Sequence, residues 1–317
     1  MKKIILISGD PNSINSELIY KSLKKIDKKV KKKIYLITNF KLIKSQLRKL
    51  KFNLKFSIVN NIDEEIKNDS IKIINIQLRY KYPFNVSVKE ASNFVLKSLN
   101  LAHDIASNRS DVGIINCPIS KNLLKKKIGV TEFLSSKSNV QIDKEAMLIR
   151  NKQLAVCPIT THIDIKDVSK KITKEKIIKK VTTINSWYKK NLNKKPKFAI
   201  LGLNPHNAEL RVNSEERKII APAILKLKKL GFYVNGPMVA DTIFINQYKK
   251  YDVIVGMFHD QVLTPFKTIY KFNAINITLG LKYLRVSPDH GVAKDLIKKN
   301  KANPTSLLNC IDFINRQ

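Results

Sequence analysis

Glycine is scarce in this chain: 9 of 317 residues, under about 3% where ~7% is usual. Neither a G-x-G-x-x-G dinucleotide fingerprint nor a Walker A motif occurs, so the two familiar glycine-built phosphate loops are excluded. Cysteine is nearly absent as well. Cys117, Cys157 and Cys310 are odd in number and widely spaced, which argues against a disulfide framework and a cysteine-based zinc site. No run of about 18 apolar residues is present, so no membrane span is expected. The start, Met1 to Ile7, superficially resembles a secretion signal, but its apolar run stops at Ser8-Gly9-Asp10-Pro11. It reads better as a first β-strand, and the protein as cytoplasmic.

Acidic residues are also few. Asp and Glu number 25 against 60 Lys and Arg, a net charge of +35. Such a balance raises nucleic-acid binding. However, the lysines are spread along the whole chain, including Lys28-Lys29, Lys31 to Lys33, Lys125 to Lys127 and Lys189-Lys190, while arginine occurs only 8 times. No aromatic-plus-basic ribonucleoprotein motif or zinc finger accompanies them. The even spread favours the compositional bias of an AT-rich genome over polyanion binding, and a nucleic-acid partner is not expected. A basic surface would still attract an anionic substrate.

With 43% hydrophobic residues, the chain is long enough for one large or two ordinary globular domains. Short β-branched runs alternate with helical patterns, which predicts an α/β protein with a largely parallel sheet. Expected strands are Ile4–Ser8, Ile34–Thr38, Ile71–Ile76, Val112–Asn116, Leu154–Cys157, Phe198–Leu203, Val253–Met257 and Ala274–Thr278. Apolar periodicity predicts helices near Ser16–Ile26, Val88–Ala106, Lys174–Lys189 and Glu215–Leu230. Ser214 with Glu215 and Glu216 makes a helix start, and Leu230-Gly231 a stop. Polar stretches at Asn60–Ser70 and Ser135–Lys144 read as surface loops.

Ligands of open α/β sheets gather at the carboxyl ends of strands. Three of the five histidines fall there: His162 after Leu154–Cys157, His206 after Phe198–Leu203, and His259 after Val253–Met257. A single histidine is more often structural than a ligand, but three in one topological position suggest a catalytic divalent-metal site. Asp241 and Asp260 suit carboxylates that orient such ligands. Lys267, Asn276 and Arg285 follow, a mixture of charge and directed donors suited to phosphate. Any one Lys in so basic a chain reads first as a solvated surface residue, so the rare Arg285 is the most informative. A nicotinamide cofactor is not indicated by any of these residues alone.

Longer motifs then converge. ISGDP, NCPISK at Asn116–Lys121, TEF at Thr131–Phe133, TTHIDIKDV at Thr160–Val168, GLNPH, GPMVADTIF at Gly236–Phe244, FHDQ, NITLGL and RVSPDHGVAKDL at Arg285–Leu296 run nearly end to end. In this order the chain resembles the 4-hydroxythreonine-4-phosphate dehydrogenase family of pyridoxal phosphate biosynthesis. The resemblance implies two α/β/α domains flanking a cleft, as in isocitrate and isopropylmalate dehydrogenases. Residues 1–125 plus 287–317 would form the first domain. Residues 126–286 would form the second, with the metal and substrate residues and the dimer contacts. It also implies a homodimer with a shared active site, a divalent metal (zinc, magnesium or cobalt) on His162, His206 and His259, and substrate contacts from Thr131, Lys267, Asn276 and Arg285. NAD or NADP would accept hydride, and Lys267, Asp241 and Asp260 are candidates for the proton-transfer residue. The implied reaction is NAD-dependent oxidation and decarboxylation of 4-phosphooxy-L-threonine to 3-amino-2-oxopropyl phosphate.

The chain departs from the family pattern in places. Where the family has GHTE, the chain has Gly129-Val130-Thr131-Glu132, so Val130 lacks an imidazole. The loop glycines of GDPxGIGPE are replaced in Asn12-Ser13-Ile14-Asn15-Ser16-Glu17, and those after NPH in residues 207–214. HDQG has become His259-Asp260-Gln261-Val262. These changes fit drift with function kept, because asparagine tolerates positive φ better than other non-glycine residues. They also leave room for a dehydrogenase of phosphorylated sugar acids, such as threonate or erythronate 4-phosphate, or for a non-catalytic binding protein.

Overall fold

A computed structural model of the chain describes residues 2–124, 129–138 and 145–317; the Lys125 to Lys127 run and most of the expected loop at 135–144 lie outside them. The chain divides into two compact units, Met1–Asn139 with Leu281–Gln317, and Val140–Gly280. Thr131 and Arg285 thus belong to the first unit, and the three histidines to the second.

The strands are β1 Lys3–Ile7, β2 Ile34–Thr38, β3 Phe56–Ile58, β4 Ile71–Asn75, β5 Val112–Asn116, β6 Ala146–Arg150, β7 Ala155–Pro158, β8 Lys197–Leu201, β9 Tyr233–Met238, β10 Val253–Gly256, β11 Ile275–Leu279 and β12 Leu284–Pro288. In the first unit they lie in the order β3-β4-β2-β1-β5-β12, and every pair is parallel. Parallel strands covered on both faces need near-continuous apolar sequence. IYLIT of β2 and VGIIN of β5 are buried at all five positions. The helix Val88–Ser107 packs on β1, β2 and β5, and Thr305–Asn315 on β1, β5 and β12. Successive residues of β5 serve opposite faces: Ile114 joins the core containing Phe94, whereas a Cβ at Gly113 would meet Ile314 at 2.8 Å.

The second unit is mixed. Its order is β11-β6-β7-β10-β8-β9, antiparallel for β11/β6 and β6/β7 and parallel for the rest. Its core gathers Ile149, Val156, Ala199, Leu201, Ile254 and Phe266. Helices begin where small polar residues replace missing intrahelical partners. Thr173 Oγ1 accepts from Lys176 N at 3.1 Å at the start of Lys174–Leu192.

Two expectations change. Ser135 to Lys137 are helical, closing the helix Val130–Lys137, because Phe133 and Leu134 give that segment an apolar side. The helix expected over residues 215–230 starts with a π-turn, Glu216–Ile220, and becomes α-helical only over Ala221–Lys229. Among the described residues no helix is long and apolar enough to cross a membrane, and Cys117, Cys157 and Cys310 are buried free thiols.

Candidate active site

In the first unit the chain reverses direction across the sheet between β1 and β5, which places the loops after these strands side by side. Such a switch point is where doubly wound sheets bind ligands. Asp10 organises it. Its carboxylate accepts from Ser120 Oγ at 2.5 Å and from Asn12 N at 2.8 Å, while its backbone N donates to Pro118 O at 3.0 Å. Asn15, standing where the family has glycine, is 2% exposed and donates through Nδ2 to Ser8 O at 2.9 Å and Pro118 O at 2.8 Å. Asn12 mimics a backbone pair with Val86, giving Nδ2 to Val86 O and accepting from Val86 N, both at 2.8 Å. The glycines of this loop are therefore replaced by side chains that carry its hydrogen bonds.

Arg285 on β12 is 2% exposed. Its Nε donates to Asn116 Oδ1 at 2.7 Å and its Nη1 to Thr131 Oγ1 at 3.4 Å, so the structure brings these three residues together. Burial pushes the Arg285 pKa down to about 10, with smaller opposing effects from Tyr283, Cys310 and Glu132. Tyr283 cannot supply compensating charge at neutral pH. Burial raises its phenol to about 12, and the hydroxyl pairs with His103 Nδ1 at 2.9 Å. A guanidinium still protonated but desolvated favours a bound anion. Val130 has no imidazole to add; its side chain packs, partly buried, on the first unit's core.

In the second unit, His162 and His259 stand 5.8 Å apart between ring centroids. His162 follows β7 and is exposed; His259 opens the helix His259–Tyr270 and is 35% exposed. Asp260 Oδ1 accepts from His259 Nδ1 at 2.6 Å, which fixes the tautomer whose Nε2 lone pair is available to a metal. His206 lies in the turn Pro205–Leu210, five of whose residues, His206 to Leu210, have φ between 48° and 58°. Left-handed backbone costs roughly 1–2 kcal/mol per non-glycine residue, so this loop keeps a glycine-like path without the glycines. Its entry is held by Glu216, fully buried, whose Oε1 accepts from Leu203 N and Asn204 N, both at 2.8 Å. Burial raises the Glu216 pKa, but these hydrogen bonds outweigh it and leave the carboxyl below its ordinary value.

Among the described residues no group of three His, Cys, Asp or Glu side chains is close enough to hold a metal. The donor chemistry of His162 and His259 nonetheless fits one: two neighbouring imidazoles, one with its tautomer set by a carboxylate. Asp241 is exposed on the short helix Ala240–Ile243, which packs against the His206 turn. Lys267 lies two turns beyond His259 on the same helix. Asn276 on β11 has a buried Oδ1 without a hydrogen-bond partner, an acceptor suited to a ligand. Asp10, Asn15, Asn116 and Ser120 received no role from the sequence. The motifs SGDP and NCPIS, which hold Asp10, Asn116 and Ser120, were visible, as was Asn15 beyond the first, but their partners are more than 100 residues away in Asn15–Pro118, Asp10–Ser120 and Asn116–Arg285.

This arrangement places the chain in the isocitrate dehydrogenase fold class. The isocitrate dehydrogenase of Methylococcus capsulatus superposes with a TM-score of 0.52 at 13% identity, covering 100% of this chain and 85% of that one. Within that class, the chain belongs to the pyridoxal phosphate biosynthetic protein PdxA family, whose model matches residues 12–314. A relative from Sulfurihydrogenibium sp. (strain YO3AOP1), 4-hydroxythreonine-4-phosphate dehydrogenase, is 38% identical over 99% of this chain and 97% of its own length. The crystal structure of 4-hydroxythreonine-4-phosphate dehydrogenase from Klebsiella pneumoniae superposes with a TM-score of 0.85 at 26% identity, covering 100% and 99% of the two chains.

Proposed function

We propose that this chain is an NAD-dependent dehydrogenase that oxidises and decarboxylates 4-phosphooxy-L-threonine to 3-amino-2-oxopropyl phosphate, a step of pyridoxal phosphate synthesis. The observation that carries this reading is the buried Arg285, held by Asn116 and Thr131 in a chain matched almost end to end by relatives of that name.

Arg285 and Thr131 bind the anionic part of the substrate, with Asn276 and Lys267 as further contacts. A divalent metal on His162, His206 and His259 would lower the pKa of the substrate hydroxyl. NAD or NADP would accept the hydride from the hydroxyl-bearing carbon. Asp260 holds His259 in register, so Asp241 and Lys267 remain to take the hydroxyl proton. Oxidation leaves a β-keto acid, which loses carbon dioxide and takes a proton at the carbon left behind. The cation would be zinc, magnesium or cobalt, and the assembly a cytoplasmic homodimer with a shared active site.

A second substrate class has one observation in its favour. Val130 packs on the core where the family carries an imidazole, which would suit a phosphorylated sugar acid lacking the amine. NAD reduction should be followed with 4-phosphooxy-L-threonine and with erythronate 4-phosphate, before and after metal removal. Turnover of the amino acid that is lost on chelation and restored by a divalent cation is expected. Full activity in chelator would overturn the metal-assisted mechanism, and preference for the sugar acid would overturn the substrate.

A further inference from the structure

The strand ends on the other edge of the first unit's sheet carry a feature that the dehydrogenase reaction does not use. Lys72 is the second residue of β4, and its side chain is only 2% exposed. Lysine is rarely buried unless paired. Its cross-strand neighbour on β2 is Tyr35, whose ring face receives the ammonium at 3.9 Å. The Nζ has no hydrogen-bond partner, and Glu65 Oε2 stands 3.7 Å away, beyond hydrogen-bond length. Three N–H donors are therefore buried against an aromatic face and a carboxylate that makes an ion pair but no hydrogen bond.

Lys72 lines a small cavity of about 70 Å³, room for a compact ion rather than for a drug-sized ligand, whose sites run to roughly 300–1,000 Å³. Lys28, Lys31 and Lys32 from the connection between the first helix and β2 also line it, as do Glu65 and Asp69. Asp69 is engaged by Lys28 at 2.8 Å. The cavity thus has four ammonium groups against two carboxylates, and its innermost ammonium lacks an acceptor.

We propose that this cavity is a second ligand site, for a compact dianion presenting a phosphate group, with Lys72 as its inner anchor and Lys31 and Lys32 at its mouth. A phosphate oxygen on Lys72 would supply the missing hydrogen-bond acceptor, and the outer lysines would neutralise the remaining charge. Burial pushes the Lys72 pKa below the ordinary lysine value, and a bound dianion would raise it. The site lies wholly in the first unit and away from Arg285, so it stands or falls independently of the dehydrogenase assignment.

Calorimetric titration of the full chain with inorganic phosphate and, separately, with glycerol 3-phosphate tests this, with chloride holding ionic strength constant. The wild type is expected to show a binding event that persists in Arg285→Ala and vanishes in Lys72→Met. Lys31→Gln/Lys32→Gln, a surface change that leaves the core intact, should weaken that event about tenfold. Tighter Lys72-dependent binding of glycerol 3-phosphate identifies a phosphomonoester ligand; binding of inorganic phosphate alone identifies the free ion. Isotherms for either probe that are the same in wild type, Lys72→Met and the surface double variant overturn the proposal, as does the absence of any heat that survives Arg285→Ala.

Discussion

The two units hold their functional residues in opposite ways. In the first, Arg285 is buried and tied to Asn116 and Thr131, the loops after β1 and β5 are laced together by Asp10 and Asn15, and Asn12 ties the first of them to Val86. In the second, His162, His206 and Asp241 are exposed, His259 is half-buried, and His206 sits in a left-handed turn. The glycine-poor loops show the same contrast. Around Asn15, side-chain amides took over the work of the missing glycines; around Ala208, the backbone kept its glycine-like path and carries the strain. Pre-organisation in the first unit comes from hydrogen bonds already made, whereas exposed donors gain order from what they bind.

The largest effect should come from removing the buried charge. Arg285→Ala is expected to lower kcat/KM by about 100- to 1,000-fold, in line with about 2–5 kcal/mol for a buried charged partner. Arg285→Lys should not rescue it, because a point charge cannot both donate to Asn116 and grip the anion. Steady-state kinetics check this, and near-wild-type activity of Arg285→Lys would dissolve the distinction between the units. In the second unit, Asp260→Asn should weaken metal affinity by roughly 10- to 100-fold while leaving thermal stability unchanged, measured by metal titration of the apo-protein.

Asn15→Ala should destabilise by about 2–3 kcal/mol, since Ser8 O and Pro118 O lose their donor in a buried site; denaturant unfolding measures it. Glu216→Gln tests pH dependence. The folded Glu216 carboxyl titrates below its ordinary value, so its stabilisation is present above the unfolded pKa near 4.5 and is lost as pH falls through the lower folded value. The variant should therefore be less stable at pH 7, with a stability curve that falls less steeply below pH about 4.5. The smallest effect runs the other way. Ala208→Gly, at φ 48°, is expected to stabilise by about 1 kcal/mol and raise Tm. A loss instead would show that the turn is not strained.

Much of the architecture was legible from apolar runs. The bounds expected for β2 and β5 match those observed, and those of β1, β4, β7, β8, β10 and β11 differ by one or two residues. Strands β3, β6, β9 and β12 went unpredicted. β12 reads LRVSP, and a strand whose alternate residues are a buried arginine and a buried serine carries no apolar alternation to detect. The histidines were visible as residues at strand ends; that His162 and His259 stand together, and that Asp260 orients one of them, was not.

What the sequence by itself determined were the properties that act within a few residues: β-branched strands, capped helix starts and the motifs that mark the family. Only the tertiary structure decided which polar residues meet. Asn116 and Arg285 are 169 residues apart in sequence and 2.7 Å apart in space. Lys72 reads as one lysine among many until its neighbours bury it beside Tyr35. A side chain's charge is written in its own residue, but its desolvation and its partners are supplied by the rest of the chain, and those set what the charge can do.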